Sequence, residues 1–292
     1  GSTAKLATTL AAFNKLGMAA TQKNILIRQQ DLIRIKSLEP DEAGNISLQT
    51  ALVKSNNAYF IKLANEERLQ EEMGTIYLQT GMFLRGVGGY YFQRNNNNTV
   101  AEESWRTLWR KTEFTSLRSY NKNDIIKTRG RGVSGMAWGQ GELIATPASV
   151  ARLAAGISNK GQLTPHRFVL KFADSAVNVK DGMAIAKDSQ FANEIKKYML
   201  AQSANKKLQL GITVAGKTGT PERIWKGERI NDGWYVFFAP KANGGGNIVV
   251  CIRIEKTKGS SNAVRLAGKH IIPKLIKMGY LKGDDKVVVM DE

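Results

Sequence analysis

The stretch GITVAGKTGT, residues 211–220, carries the single Lys-Thr-Gly of the chain and supports two different chemistries. Gly211, Gly216, Lys217 and Thr218 match G-x-x-x-x-G-K-[ST], in which loop amides and a following helix N-terminus cradle phosphates. The same Lys217-Thr218-Gly219 can instead lie on a strand lining an acyl-transfer cleft, with the glycine allowing close backbone approach. The flanks favour the strand. Ile212, Thr213 and Val214 fall inside the supposed loop and prefer extended backbone. Gly219, Thr220 and Pro221 follow Thr218, where a phosphate loop requires a helix. A nucleotide-binding protein is thus the distant alternative.

A strand lysine in an acyl-transfer site needs a nucleophile and a base. Serine hydroxyls are weak nucleophiles until a neighbouring group takes the proton, and a lysine one helical turn away can do so when neutral. S-x-x-K occurs at Ser2–Lys5, Ser119–Lys122 and Ser203–Lys206, and S-x-N at Ser55–Asn57, Ser203–Asn205 and Ser260–Asn262. Ser119 lies in the polar, aperiodic RSYNKND, and Ser203 is too close to Lys217 to come from a separate element. Ser2 opens an amphipathic pattern in which Leu6, Leu10, Phe13 and Leu16 recur at helical spacing, so Ser2 and Lys5 share a face. Ser55 lies in a long helical segment, well separated from both partners.

These residues must be held by elements that the pattern also predicts. A helix spans 2–17, capped by Ser2 and stopped by Gly17. A second helical stretch covers 47–73 and is broken near Ser55. Residues 81–100 read as a loop ending in an asparagine run, and 130–145 as glycine-rich and irregular. Thr146 as cap and Pro147 in the first turn open a helix that ends before Gly161. A further helix is predicted over 188–203. Residues 212–220, 233–240 and 247–255 read as three strands of an antiparallel meander. A closing helix, 260–279, is bent or interrupted near Pro273. Helices followed by a meander and a last helix make the fold class α+β.

In these contexts GSTAK, SLQTALVKSNNAYF and AGKTGT together resemble the three motifs of the penicillin-binding protein transpeptidase domain, within the penicillin-recognising (serine β-lactamase) superfamily. GQGELIATPASVARLAAGISNKG (139–161) and NDGWYVFFAP (231–240) resemble two further family segments, in family order and over nearly the whole chain. The resemblance implies an antiparallel sheet flanked by helices plus an all-helical subdomain. It implies one domain over 1–292, with the helical and cleft part in 1–205 and the meander and closing helix in 206–292. N-terminal strands of the sheet and a membrane anchor are expected upstream of this chain.

The resemblance also implies roles. Ser2 is the nucleophile, Lys5 its base, and Ser55 a proton relay. Asn57 meets the substrate amide and positions Lys5. Lys217 and Thr218 bind the terminal carboxylate with Thr220 nearby, Gly219 belongs to the same substrate-binding strand, and the amides of Ser2 and Thr220 form the oxyanion hole. The implied reaction is D-Ala-D-Ala transpeptidation of peptidoglycan stem peptides through an acyl-enzyme, with β-lactams as covalent inhibitors. A noncatalytic β-lactam sensor and a D-Ala-D-Ala carboxypeptidase are the alternatives. Neither E-x-x-L-N nor Tyr-Gly-Asn stands where a hydrolytic β-lactamase would carry it. The style is closest to the monofunctional class B type, acting at the periplasmic face of the bacterial inner membrane beside other cell-wall synthesis proteins.

Composition agrees with an enzyme of this kind without selecting it. The 292 residues carry 43 Lys+Arg against 25 Asp+Glu, a net charge of +18. That charge attracts anionic partners, but no nucleic-acid module is recognisable and no nucleic-acid partner is expected. One cysteine, Cys251, excludes an intramolecular disulfide and reads as a buried filler. With two histidines, His166 and His270, there is little from which to build a metal site, and no cofactor is expected. Trp138 and Trp234 read as packing residues, with Trp138 close enough to the glycine-rich segment to rim a cleft.

Overall fold

In the computed structural model the described residues are 1–34, 42–84, 132–141, 143–164, 171–172, 175–176, 182–204 and 210–283. Several readings therefore lie outside the described residues: the asparagine-rich loop from 85 onward, Ser119, Lys122, Asn205, Lys206 and His166.

The first long helix, α1 (Lys5–Leu16), is buried on all sides from Lys5 to Phe13. Leu6, Leu10 and Phe13 supply bulk, while Ala7, Thr8, Ala11 and Ala12 let neighbouring helices come close. Gly17 ends it at φ +63°, a left-handed value that glycine takes without strain. The next helical stretch breaks where expected. α2 (Leu48–Lys54) is capped by Ser47, and α3 (Asn57–Glu66) by Asn56, whose side chain accepts from Tyr59 N–H at 2.8 Å. Ser55, between them, is left-handed at φ +62°. α4 (Gln70–Thr80) follows and packs on α1.

The glycine-rich segment differs from its irregular expectation. Gly132–Trp138 forms a short helix, α5, whose Val133, Met136 and Ala137 are buried against the core. Tertiary burial outweighs the poor helix propensity of glycine here. α6 (Pro147–Ser158) begins at Thr146 with a reciprocal cap: Ser149 N–H donates to Thr146 Oγ1 at 3.1 Å and Thr146 N–H to Ser149 Oγ at 2.9 Å. α7 (Ser189–Ala204) matches the helix expected over 188–203.

The meander forms one antiparallel sheet: β1 (Ala215–Gly219), β2 (Gly233–Pro240) and β3 (Asn247–Ile254), with β2 central. Val236 stands opposite both Lys217 and Cys251. The central strand is apolar throughout because both its faces are covered. Trp234, Val236 and Phe238 join the large core with α1 to α7. Tyr235, Phe237 and Ala239 pack on α8 (Ser260–Leu266) and α9 (Ile272–Lys277). A π-helical turn, Ala267–Ile271, interrupts this closing helix just before Pro273, as expected. Between β1 and β2 the chain makes a hairpin, Glu222–Trp225 with Glu228–Asn231. Lys226 and Gly227 both have positive φ, the backbone of a tight hairpin turn. Cys251 is half-buried, and burial pushes its thiol pKa up to about 12. Among the described residues, no helix is long and apolar enough to cross a membrane.

Candidate active site

Ser2 does not cap α1. The residues Ser2–Ala4 form a 3-10 turn, the N-cap position falls on Ala4, and no side chain caps the helix. In a 3-10 turn residues i and i+3 eclipse, so Ser2 and Lys5 stack. Lys5 Nζ lies 2.9 Å from Ser2 Oγ. The hydroxyl read as a cap is instead turned to an amine.

Lys5 is fully buried. Its Nζ also lies 2.6 Å from Ser55 O, 3.0 Å from Ser55 Oγ and 2.5 Å from Asn57 Oδ1. The break between α2 and α3 makes this possible. The left-handed turn at Ser55 releases its carbonyl from the helix ladder and presents carbonyl, hydroxyl and Asn57 amide to the same point. Lys217, also fully buried, reaches from β1 and donates to Ser55 Oγ at 3.0 Å and to Thr218 O at 3.2 Å. Two lysines thus share one serine hydroxyl. Burial and the nearness of a second ammonium both disfavour the charged form of an amine.

The rest of the third motif frames the serine. A Cβ built on Gly219 would lie 3.1 Å from both Ser2 N and Thr3 N, so β1 passes in close contact with the serine turn and a side chain there would need the turn to give by a few tenths of an ångström. Thr220 Oγ1 accepts from Ser260 N–H at 3.1 Å, which ties the end of β1 to the start of α8. Thr218 Oγ1 accepts from Gln202 Nε2 at 3.0 Å. Gln202 was missed at the sequence level, because no motif or spacing marks it. The structure therefore brings Ser2, Lys5, Ser55, Asn57, Lys217, Thr218, Gly219 and Thr220 into one cluster. Ser203 lies elsewhere, with its hydroxyl 3.3 Å from Tyr235 Oη. Trp234 is buried, beneath the Arg253 guanidinium at 5.7 Å, and is a packing residue as expected. The phosphate-loop reading fails: Lys217 and Thr218 lie within a strand, and Pro221 leads into the hairpin and not into a helix. Among the described residues no group of three or more His, Cys, Asp or Glu could hold a metal ion.

Gly139 braces the serine turn from the other side. It has φ +82°, and a Cβ there would lie 2.0 Å from Gly1 O and 3.0 Å from Ala4 Cβ. Gly139→Ala is therefore expected to push the Ser2 turn out of line with Lys5. A displacement of that kind can cost about a hundredfold in rate. Stopped-flow acylation by a chromogenic cephalosporin would measure it, and an unchanged rate would show that the turn tolerates the shift.

Two buried lysines, each hydrogen-bonded to half-buried serines carried on separate elements, give the arrangement that serine acyl transfer requires on an α+β scaffold. The penicillin binding protein transpeptidase domain model matches residues 1–272, and the chain belongs to that family. Its fold is similar to that of Pseudomonas aeruginosa PBP2 in complex with WCK 5153, at 21% identity and TM-score 0.63, over 97% of this chain and 62% of that one. It is similar to penicillin-binding protein A of Mycobacterium tuberculosis in its ceftriaxone acyl-enzyme complex, at 19% identity and TM-score 0.60, over 97% and 60%. The apo transpeptidase domain of Burkholderia pseudomallei penicillin-binding protein 3 is similar at 15% identity and TM-score 0.59, over 95% and 78%. The chain thus spans about 60% of the length of the first two structures. No curated protein matches it.

Proposed function

We propose that the chain is the acyl-transfer domain, over 1–292, of a peptidoglycan D-Ala-D-Ala transpeptidase. The observation that carries this is the arrangement at Lys5 Nζ. Its two shortest contacts, at 2.5 and 2.6 Å, are to carbonyl oxygens, which can only accept, while the two longer ones, at 2.9 and 3.0 Å, are to hydroxyls. A neutral amine has two N–H bonds and one lone pair. In the neutral form that the base role requires, Asn57 Oδ1 and Ser55 O take the N–H bonds, and the lone pair is left for the Ser2 proton.

Ser2 Oγ then attacks the carbonyl carbon of the penultimate D-Ala as Lys5 takes the proton. The amides of Ser2 and Thr220 stabilise the oxyanion. The C–N bond breaks, and the departing D-Ala amine receives a proton through Ser55 Oγ. An amine from a second stem peptide attacks the acyl-enzyme, loses its proton by the same route, and Ser2 is restored. Lys217, Thr218 and Thr220 meet the terminal carboxylate, with Gly219 keeping the strand close. β-Lactams mimic the donor and remain on Ser2. This chemistry belongs on the extracytoplasmic face of the inner membrane, where stem peptides and cell-wall synthesis proteins meet.

Intact mass after incubation with benzylpenicillin, followed by peptide mapping, tests the reading. One adduct on Ser2, together with cross-linked product from a stem-peptide donor and an acceptor amine, is the expected result. No adduct on a cooperatively melting chain would refute it. An adduct without turnover would make the protein a sensor, and hydrolysed donor alone would make it a carboxypeptidase.

A further inference from the structure

Gln202 is 5% exposed and lies near the end of α7, where that helix packs across β1. The seat of α7 on the strand is fixed by close approach at a glycine. A Cβ on Gly216 would lie 2.6 Å from Tyr235 Oη and 2.7 Å from Ser203 Oγ. The neighbouring hydroxyls of Ser203 and Tyr235 are 3.3 Å apart and hydrogen-bonded. Gln202 directly precedes Ser203 on this seat, and its Nε2 donates to Thr218 Oγ1 at 3.0 Å.

We infer that Gln202 is a positioning residue that sets the hydrogen-bond polarity of Thr218 and so makes the cleft selective for an anionic carboxylate. A hydroxyl has one proton and two lone pairs. A donor from Gln202 occupies a lone pair and leaves the Thr218 proton directed elsewhere, available to an acceptor in the cleft. An acceptor at the same place would do the opposite: it would capture the Thr218 proton, leaving lone pairs to face an incoming carboxylate. The inference rests on the reading above, in which Thr218 meets the terminal carboxylate of the donor peptide or of a β-lactam.

The test separates the two. Acylation of the chain by benzylpenicillin and by its methyl ester is followed in stopped flow, resolving the binding constant Ks from the acylation rate constant k2. Gln202→Leu is expected to raise Ks for the acid about tenfold, the loss of one oriented hydrogen bond to a charged group. The ester should be unaffected, and k2 should stay within about twofold, since Ser2, Lys5 and Ser55 are untouched. Gln202→Glu, nearly isosteric, is expected to raise Ks for the acid by about a hundredfold, because it reverses the polarity and adds a like charge. It carries the test if the leucine variant fails to fold. Combined with Thr218→Val, Gln202→Leu should not add to the loss, and Gln202→Glu should add only the part due to its charge.

Equal losses for acid and ester, or a fall in k2 at constant Ks, would overturn the inference in favour of a purely structural role. So would a Thr218→Val variant that separates acid from ester while the Gln202 variants do not, and that result would leave the proposed function standing. Absence of any Ser2 adduct in the unaltered chain would overturn the proposed function, and this inference with it.

Discussion

Lys5→Met is expected to slow acylation of Ser2 by benzylpenicillin about a thousandfold, the middle of the range for loss of a positioned general base, while the chain still unfolds in one cooperative transition. Lys5 Nζ is 2.9 Å from Ser2 Oγ and is buried, so no water or surface group replaces it when the amine is removed. Methionine fills a similar volume without a lone pair basic enough to take the proton. Its cost falls on Ser55 O and Asn57 Oδ1, which lose donors at 2.6 and 2.5 Å, and that penalty is set against relief from burying an amine. Lys5→Arg is expected to be as inactive as Lys5→Met, because a guanidinium keeps its charge and has no lone pair to offer. Acylation rates beside thermal melts check both variants. A methionine variant within tenfold of the unaltered rate would remove Lys5 from the base role and direct attention to Lys217, which meets the same Ser55 hydroxyl at 3.0 Å.

The grouping of the candidate site residues was legible for a physical reason. Its members come from short local patterns: a serine and lysine three residues apart at a helix start, a serine and asparagine two apart at a helix break, and a glycine-flanked lysine on a strand. What each residue does locally was less legible. The cap expected of Ser2 is a pattern that sequence shares between helix starts and nucleophile turns, and only the 3-10 geometry of Ser2–Ala4 separates them. The helix at Gly132–Trp138 was hidden because its glycines have poor intrinsic propensity and its stability comes from contacts distant in sequence. The Glu222–Asn231 hairpin was hidden because its short strands show no apolar alternation and its tip, residues 224–229, is exposed to solvent. Gln202 carries no signal at all. Its significance is a distance to Thr218, and distances between elements are not written in local spacing.

Asp232 belongs to the same class of residue, and its removal is expected to cost about 3 kcal/mol of folding stability, at the low end of what breaking a buried ion pair costs. Its side chain is 3% exposed, while those of Arg223 and Arg253 are 27% and 30% exposed, so water recovers part of their loss. Arg223 Nε lies 3.0 Å and Arg253 Nη2 2.8 Å from Asp232 Oδ2, and Lys256 N–H donates to Oδ1 at 3.1 Å. One carboxylate thereby joins the hairpin, β3 and the loop after β3. Asp232 N–H also donates to Pro221 O at 3.0 Å, directly after Thr220, which links this junction to the end of the Lys-Thr-Gly strand. Burial acts to raise the Asp232 pKa, but hydrogen bonds from Arg253, Arg223 and the Lys256 amide outweigh it, and the net shift is downward. A carboxyl depressed on folding contributes stability above its unfolded value, near pH 4, and loses it as pH falls through the folded value. Asp232→Ala should therefore lower the melting temperature by roughly 6 °C at pH 7. The gap to the unaltered chain should hold down to about pH 5 and then narrow toward pH 3 as the carboxylate is protonated. Asp232→Asn should melt with a deficit that does not close in the same way, since its amide does not titrate. Melts of the three proteins across that range decide it: a gap that stays constant to pH 3, or a loss at pH 7 below about 0.5 kcal/mol, the size of an ordinary surface substitution, would show that the carboxylate does not hold this junction together.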